Sequence, residues 1–127
     1  SYGEWACAGR RGEGAGVTDD MRDPNKAVDY ILENAGKFAQ AKAQRVYLEE
    51  FRKSKKALLM AQSTAKAAVE REQYAYGHED YLGLLGGLKA AVEVEEALKW
   101  KLEAARIRVE IWRTQEASNR AQDRTTR

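Results

Sequence analysis

The clearest pattern in this chain is a repeat of apolar residues at steps of three and four between Glu79 and Asn119. This spacing is typical of a heptad repeat and predicts one long amphipathic helix. We call these residues the first stripe: Tyr81, Leu84, Leu88, Ala91, Leu98, Leu102, Ala105, Val109 and Trp112. Glu95 interrupts the stripe, either as a buried polar residue that sets the helix register or as a residue at the edge of the stripe.

A second heptad pattern lies earlier in the chain and predicts a partner helix. Its members are Tyr47, Phe51, Ser54, Leu58, Ala61, Ala65 and Ala68. Asp23-Pro24 is typical of a helix start, because an acceptor side chain caps the first turn and proline fits the first helical position. A glycine inside a helix costs only about 1 kcal/mol, so the first helix is expected to continue through Gly36.

These elements predict an all-α fold: a long antiparallel, coiled-coil-like helical hairpin over residues 23–122 that assembles into an oligomeric helical bundle. The expected parts are a helix over about 24–72, a turn over about 73–78, a helix over about 79–122 and a polar, basic tail over 123–127. In the turn, Gly77 is expected to take the left-handed conformation that ends many helices. Glu79 and Asp80 suit the positive N-terminal end of the next helix.

Residues 1–22 differ from the rest, because four glycines between Cys7 and Val17 disfavour a helix. This leader is either non-native or translated sequence upstream of a natural start at Met21, or a flexible arm that orders against a partner. In the second case Tyr2 and Trp5 are its anchors.

Two segments of the second helix leave alternatives open. Gly83, Gly86 and Gly87 either kink its first turns or let another helix come close. Residues 106–112 alternate polar and apolar side chains as a half-buried strand does, but no glycine or proline flanks them, so a helix is expected.

Oligomerisation is predicted from a second stripe on the same helix. It consists of Trp100, Ala104, Ile107 and Ile111, each two residues after a member of the first stripe and so about 200° round the helix. One partner helix can cover only one of the two stripes, and an uncovered apolar stripe marks an interface. The alternative is that residues 24–39 fold back as a separate third helix and cover the second stripe within one chain.

Composition narrows the functional classes. Of 127 residues, 22 are basic and 20 acidic, so the net charge is only +2 and any nucleic-acid binding must come from local clustering. The single cysteine fits a reducing compartment. No apolar run approaches the ~20 residues that span a bilayer. A cytoplasmic protein without membrane contact is therefore expected.

Residues for catalysis are scarce. His78 is the only histidine and is expected to be solvated in the turn, and Cys7 has no base near it in sequence. No spacing of His, Cys or carboxylates suggests a metal site, and no glycine-rich loop follows a strand to hold phosphate. We therefore expect no enzyme, no cofactor and no metal.

A basic run, Arg52-Lys53-Ser54-Lys55-Lys56, is the best candidate for binding nucleic acid. A turn centred on Gly77 would pair positions whose numbers add up to about 154, which places this run beside Lys99 and Lys101. The resulting mid-hairpin patch is a phosphate track. Its predicted members are Arg45, Arg52, Lys53, Lys55, Lys56, Lys99, Lys101 and Arg106. Glutamates in the same zone offer the alternative of an ordinary charged, solvated face.

Two segments, Arg45–Met60 and Trp112–Ala121, resemble a family of small helical proteins that tailed bacteriophages and prophages encode near early recombination and replication genes. The resemblance covers residues 21 to about 125. It implies a phage accessory protein in the host cytoplasm, with no functional residue to transfer.

Two functional hypotheses follow. The chain is a non-enzymatic accessory protein that binds single- or double-stranded DNA through the basic patch during recombination or replication. Alternatively, it is an adaptor or inhibitor that binds a host or phage DNA-processing protein through the second stripe.

Overall fold

The computed structural model describes residues 23–126. Within this range the chain forms three α-helices and no strand: α1 (Pro24–Gln62), α2 (Ala68–Gly77) and α3 (Glu79–Thr126). The predicted all-α class is confirmed. The expectations for the leader, including the anchors Tyr2 and Trp5, lie outside the described residues.

The start of α1 forms as its sequence predicts. The Asp23 carboxylate accepts a hydrogen bond of 2.9 Å from the backbone N–H of Asn25, and Pro24 is the first helical residue. The cap satisfies one of the N–H groups that a first helical turn leaves without a partner. The helix then continues through Gly36 without a break.

The end of α1 is a correction, because the helix stops at Gln62 rather than near residue 72. Ser63 Oγ accepts a hydrogen bond of 3.2 Å from the Ala65 N–H, and Arg71 Nη1 donates one of 3.0 Å to the Lys66 carbonyl. Side-chain bonds of this kind offer the backbone an alternative to the helical pattern. Residues 63–67 therefore form the connection, and the predicted single helix is divided into α1 and α2.

The predicted turn over 73–78 is also corrected, since α2 occupies it up to Gly77 and only His78 separates α2 from α3. No glycine in residues 23–126 has a positive φ, so the left-handed Gly77 is wrong. His78 instead ends α2 with extended backbone, and its Nδ1 accepts a hydrogen bond of 3.0 Å from the Asp80 N–H. The histidine side chain thus caps the start of α3.

α3 runs unbroken from Glu79 to Thr126, so the three glycines do not kink it. The strand alternative for residues 106–112 is therefore wrong. The helix also includes residues 123–126, which are predicted from the sequence to belong to the tail. A Cβ atom built at Gly83, Gly86 or Gly87 would meet nothing within 4 Å beyond the adjacent backbone of α3 itself. No helix of the described chain therefore approaches closely at these glycines.

The chain divides into two compact units, which we call the terminal unit (described residues 23–35 and 100–126) and the middle unit (residues 36–99). In the terminal unit, Ala27 of α1 and Ala105 of α3 are buried, with Tyr30, Ile31 and Val109 packed against them. Burial raises the pKa of Tyr30. The start of α1 thus covers the first stripe of α3, and the alternative of a separate third helix over the second stripe is wrong.

Each of the three helices contributes one buried residue to the core of the middle unit. Leu59 of α1, Ala75 of α2 and Tyr81 of α3 form one cluster, and the partly buried Met60 and Leu85 pack against it. Among the described residues, Leu59 is the largest side chain that is fully buried. This cluster fixes α2 against the other two helices of the unit.

The buried face of α1 differs from the predicted one. Tyr47 is 60% exposed and Leu58 is 55% exposed, so the predicted stripe is wrong at most of its positions, although Phe51 is half-buried. The buried or half-buried positions at steps of three, four or seven are instead Ala27, Ile31, Asn34, Phe38, Ala41, Arg45, Leu48, Lys55 and Leu59. The two sets differ by about one residue, which is a rotation of about 100° about the helix axis.

The first stripe of α3 agrees with the structure over most of its length. Tyr81 and Ala105 are buried and the members between them are half-buried, whereas Trp112 at the end is 45% exposed. Glu95 is buried, which favours the first of its two interpretations.

Candidate functional site

A bidentate polar contact in the middle unit joins Arg45 of α1 to the buried Glu95 of α3. Arg45 Nε and Nη2 donate to the two carboxylate oxygens of Glu95, and its Nη1 donates at 3.0 Å to both oxygens of Glu49. The fork of the guanidinium matches the carboxylate in the geometry of the strongest ion pairs. The polar residue that interrupts the first stripe thus meets one of the polar residues on the buried face of α1.

The electrostatic consequences follow from this geometry. The hydrogen bond from Arg45 holds the pKa of Glu95 below its ordinary value of 4.5, and the hydrogen bonds to Glu95 and then Glu49 hold the pKa of Arg45 above its ordinary value. The pair therefore remains charged through the physiological range. A partly buried, bidentate pair of this kind fixes which positions of two helices face each other.

The eight cations of the predicted patch are not brought together. The predicted alignment places Lys55 opposite Lys99, but Lys55 Nζ lies 3.8 Å from Asp80 Oδ2. Lys101 and Arg106 belong to the terminal unit. The predicted alignment fails because α1 ends at Gln62 and α2 intervenes, which moves the effective turn toward the N-terminus.

Most of these cations have carboxylate partners. Six form ion pairs in the structure: Arg45 with Glu49 and Glu95, Lys53 with Glu50, Lys55 with Asp80, Lys56 with Glu72, Lys99 with Glu96, and Arg106 with Glu103 and Glu110. Arg52 and Lys101 form no ion pair with any residue in 23–126. The alternative interpretation, a mixed-charge solvated face, therefore describes much of the predicted patch.

Three of the cations nevertheless converge on an open hollow of the middle unit. Arg52, Lys53 and Lys56 line a space of about 660 Å³ together with Tyr76 and Tyr81. The two tyrosine rings meet edge to face, with centroids 5.3 Å apart at 78°. Tyr81 is anchored in the core, and Tyr76 keeps close to half of its surface exposed.

Lys56 connects the charged and aromatic parts of this hollow. Its Nζ lies 4.8 Å from the centre of the Tyr76 ring and 2.9 Å from Glu72 Oε1. Contacts with Tyr76 and then Glu72 hold the pKa of Lys56 above its ordinary value. The sequence gives no sign of this convergence, because Lys56 and Tyr76 meet only when α2 packs against α1.

The second stripe lies on the surface of the terminal unit. Trp100 is 64% exposed, Ile107 is 44% exposed and Ile111 is 43% exposed, and Ala104 between them is also exposed. α1 covers the other side of α3 at Ala105 and Val109. The prediction that one partner helix leaves this stripe uncovered is confirmed for the described residues.

Two further observations concern residues 23–126 only. No three His, Cys, Asp or Glu side chains in that range are grouped so that they could hold a metal ion. No helix there combines the length and the apolar character that crossing a bilayer requires.

Comparisons with protein-family models, with curated proteins and with solved structures found no match to this chain.

Proposed function

We propose that this chain is a non-enzymatic protein that binds single-stranded nucleic acid at the hollow of the middle unit. The observation that carries the proposal is the convergence of Arg52, Lys53 and Lys56 on the exposed ring of Tyr76. Cations that follow a phosphate backbone, next to an aromatic face on which a base can stack, are the usual elements of single-strand binding. This site is smaller than the predicted eight-cation patch.

The electrostatics of the hollow support a ligand with phosphates. Arg52 forms no ion pair within residues 23–126, and the exposed pair of Lys53 with Glu50 spans 3.3 Å between two largely solvated side chains. Exposed pairs of this kind contribute little, about 0–1 kcal/mol, so a phosphate can compete for the lysine. The resemblance to phage proteins adds a context in host cytoplasm, beside recombination or replication enzymes.

Fluorescence anisotropy with a labelled oligothymidine tests the proposal. At low salt we expect saturable binding, with an affinity that falls steeply as salt rises. Tyr76→Ala should weaken binding roughly tenfold through lost stacking, and Tyr76→Phe should retain it because the ring remains. Arg52→Ala should lower the salt dependence by about 0.7 in the log–log slope, the value for one contact with a single strand.

Lys37→Ala is the matched control, since Lys37 is an exposed cation of α1 outside the hollow. Equal losses for the Lys37 and Arg52 variants would mean that net charge, not the hollow, determines binding. No anisotropy change at low salt would reject the proposal, and stronger binding to a duplex would reject its single-stranded form.

We also infer that α1 and α3 run antiparallel in the middle unit. The ion pairs Arg45–Glu95 and Lys55–Asp80 support this, because the later residue of α1 pairs with the earlier residue of α3. Arg45 with Glu95, and Lys55 with Asp80, are then the facing positions of the expected coiled-coil-like hairpin.

A second candidate function uses the second stripe. Its exposure favours an adaptor or inhibitor that binds a host or phage recombination or replication protein. Changing Trp100 and Ile107 to glutamate should abolish binding of such a purified protein while the far-ultraviolet circular dichroism stays unchanged. Retained binding would reject the adaptor function.

A further inference from the structure

The four residues of the second stripe occupy the core positions, a and d, of a heptad repeat on α3. With Ala104 and Ile111 as a positions, Trp100 and Ile107 are d positions, and all four are exposed. This face is about 160° from the face that Ala105 and Val109 bury, so the covered and uncovered sides of the helix are distinct. A large residue alternates with a small one at Trp100 and Ala104, which leaves room for an indole in a helix–helix interface.

The charges beside this stripe are separated by sign. Glu103 and Glu110 occupy the g positions on one side, and Lys101 and Arg108 occupy the e positions on the other. The position five residues before Lys101 is a further glutamate, Glu96. Charges at e and g decide which helices pair in a coiled coil and in which direction.

We propose that the second stripe pairs with the same stripe of a second copy, parallel and in register. In a parallel pair, a g residue of one helix faces the e residue five positions further along the other, so Glu103 meets Arg108 of the second copy. Because the pair is symmetric, this contact occurs twice, and both copies of it are attractive. In an antiparallel pair, g faces g and e faces e, so glutamates would oppose glutamates and cations would oppose cations.

The contacts within one chain permit this exchange. Glu103 and Glu110 both bind Arg106 of their own helix, at 2.6 and 3.0 Å; Arg106 and Glu110 are exposed, and the side chain of the half-buried Glu103 is 40% exposed. Exposed pairs of this type are weak and rearrange easily. The stripe is only about two heptads long, so the proposed dimer is reversible and depends on protein concentration.

Charge reversal measured by sedimentation velocity tests the direction of pairing. Glu103→Arg or Arg108→Glu alone should raise the dimer dissociation constant about tenfold, since each converts two attractive contacts into repulsive ones. An equimolar mixture of the two variants should recover the affinity, because each supplies the charge that the other lacks. The chain with both changes should recover it too.

An antiparallel pair gives the opposite sign. There, Glu103→Arg would replace a repulsion between glutamates and strengthen the dimer, and that result would overturn the parallel arrangement. Helical content from circular dichroism controls for unfolding. A single-chain species at every concentration overturns the proposal altogether, whether another protein or residues 1–22 cover the stripe.

Cysteine cross-linking gives an independent measurement of register. In a Cys7→Ser background, Thr114→Cys places a thiol at the next d position, where the two copies of a parallel pair are adjacent. Mild oxidation should link this variant rapidly. Arg113→Cys, exposed on another side of the same turn, is the matched control and should link slowly. Equal rates for both variants would contradict the proposed register.

Discussion

Leu59 and its neighbour Leu58 give the sharpest test of the packing of α1. Leu59 is 0% exposed within the cluster of Ala75 and Tyr81, whereas Leu58 is 55% exposed. The heptad pattern in the sequence predicts the reverse, with Leu58 in the interface. Replacing each leucine by alanine therefore distinguishes the two arrangements, and the two variants have the same composition and the same helix propensity.

The expected magnitudes follow from burial. A buried leucine replaced by alanine costs about 2–5 kcal/mol, and the lower part of that range, ~2–3 kcal/mol, is expected for Leu59 because few residues surround the space. Met60 and Leu85 are only partly buried and can move into it. Leu58→Ala removes far less buried surface and should cost about 1 kcal/mol or less.

Urea unfolding followed by circular dichroism at a fixed protein concentration measures both values. With a slope near 2 kcal/mol per molar urea, the Leu59 variant should unfold about 1 M earlier than the parent chain. The Leu58 variant should unfold within about 0.5 M of the parent. A larger loss for Leu58→Ala than for Leu59→Ala would refute the buried face described for α1.

Three further predictions concern single contacts. Because the hydrogen bond from Arg45 lowers the pKa of Glu95, the pair stabilises the fold above the ordinary carboxyl pKa of 4.5 and ceases to do so as the pH falls through the lowered folded-state pKa. The parent chain should therefore have a higher melting temperature than the Glu95→Gln variant at pH 7, and this difference should disappear in acid. A difference that does not depend on pH would contradict the pair. Asp23→Ala removes the cap on the Asn25 N–H and should lower the free energy of unfolding by about 1 kcal/mol in a denaturant titration. Gly86→Ala should raise it by about 1 kcal/mol, since α3 is continuous and the new methyl group meets nothing; destabilisation would mean that something packs on Gly86.

The elements that the sequence predicts well are those with local causes. Asp23-Pro24 starts α1 because a cap needs only neighbouring atoms, and the periodic residues of α3 form one helix even across three glycines. The first stripe holds because its apolar members are not interrupted except at Glu95. The cap of α1 and the continuity of α3 depend on contacts within a few residues of one another.

The buried face of α1 could not be predicted in the same way. Three of its positions are Asn34, Arg45 and Lys55, and a search for apolar spacing passes over polar residues. Arg45 is accommodated there only because Glu95 supplies a carboxylate from α3. A polar residue in a stripe is thus interpretable only together with its partner, which the sequence of one helix does not contain.

The residues of the candidate binding site also differ from the predicted ones, because they are brought together by contacts between helices. Arg52, Lys53 and Lys56 of the basic run line the hollow, but the neighbours of the run depend on where α1 ends. Ser63 and Arg71 end the helix through bonds to backbone groups, and α2 then carries Tyr76 to Lys56. The predicted alignment omits α2, so it places Lys99 and Lys101 beside the basic run. In the structure, Tyr76 and Tyr81 lie there instead.

α3 carries two apolar sides, and the other described helices cover only one of them. The solution mass as a function of concentration tests this claim most directly. Sedimentation equilibrium should show a mass that rises from the 14.3 kDa of one chain toward twice that value, and Trp100→Glu with Ile107→Glu should prevent the rise without loss of helix. A mass of one chain at every concentration, with the Trp100 indole accessible to a soluble quencher, would contradict it.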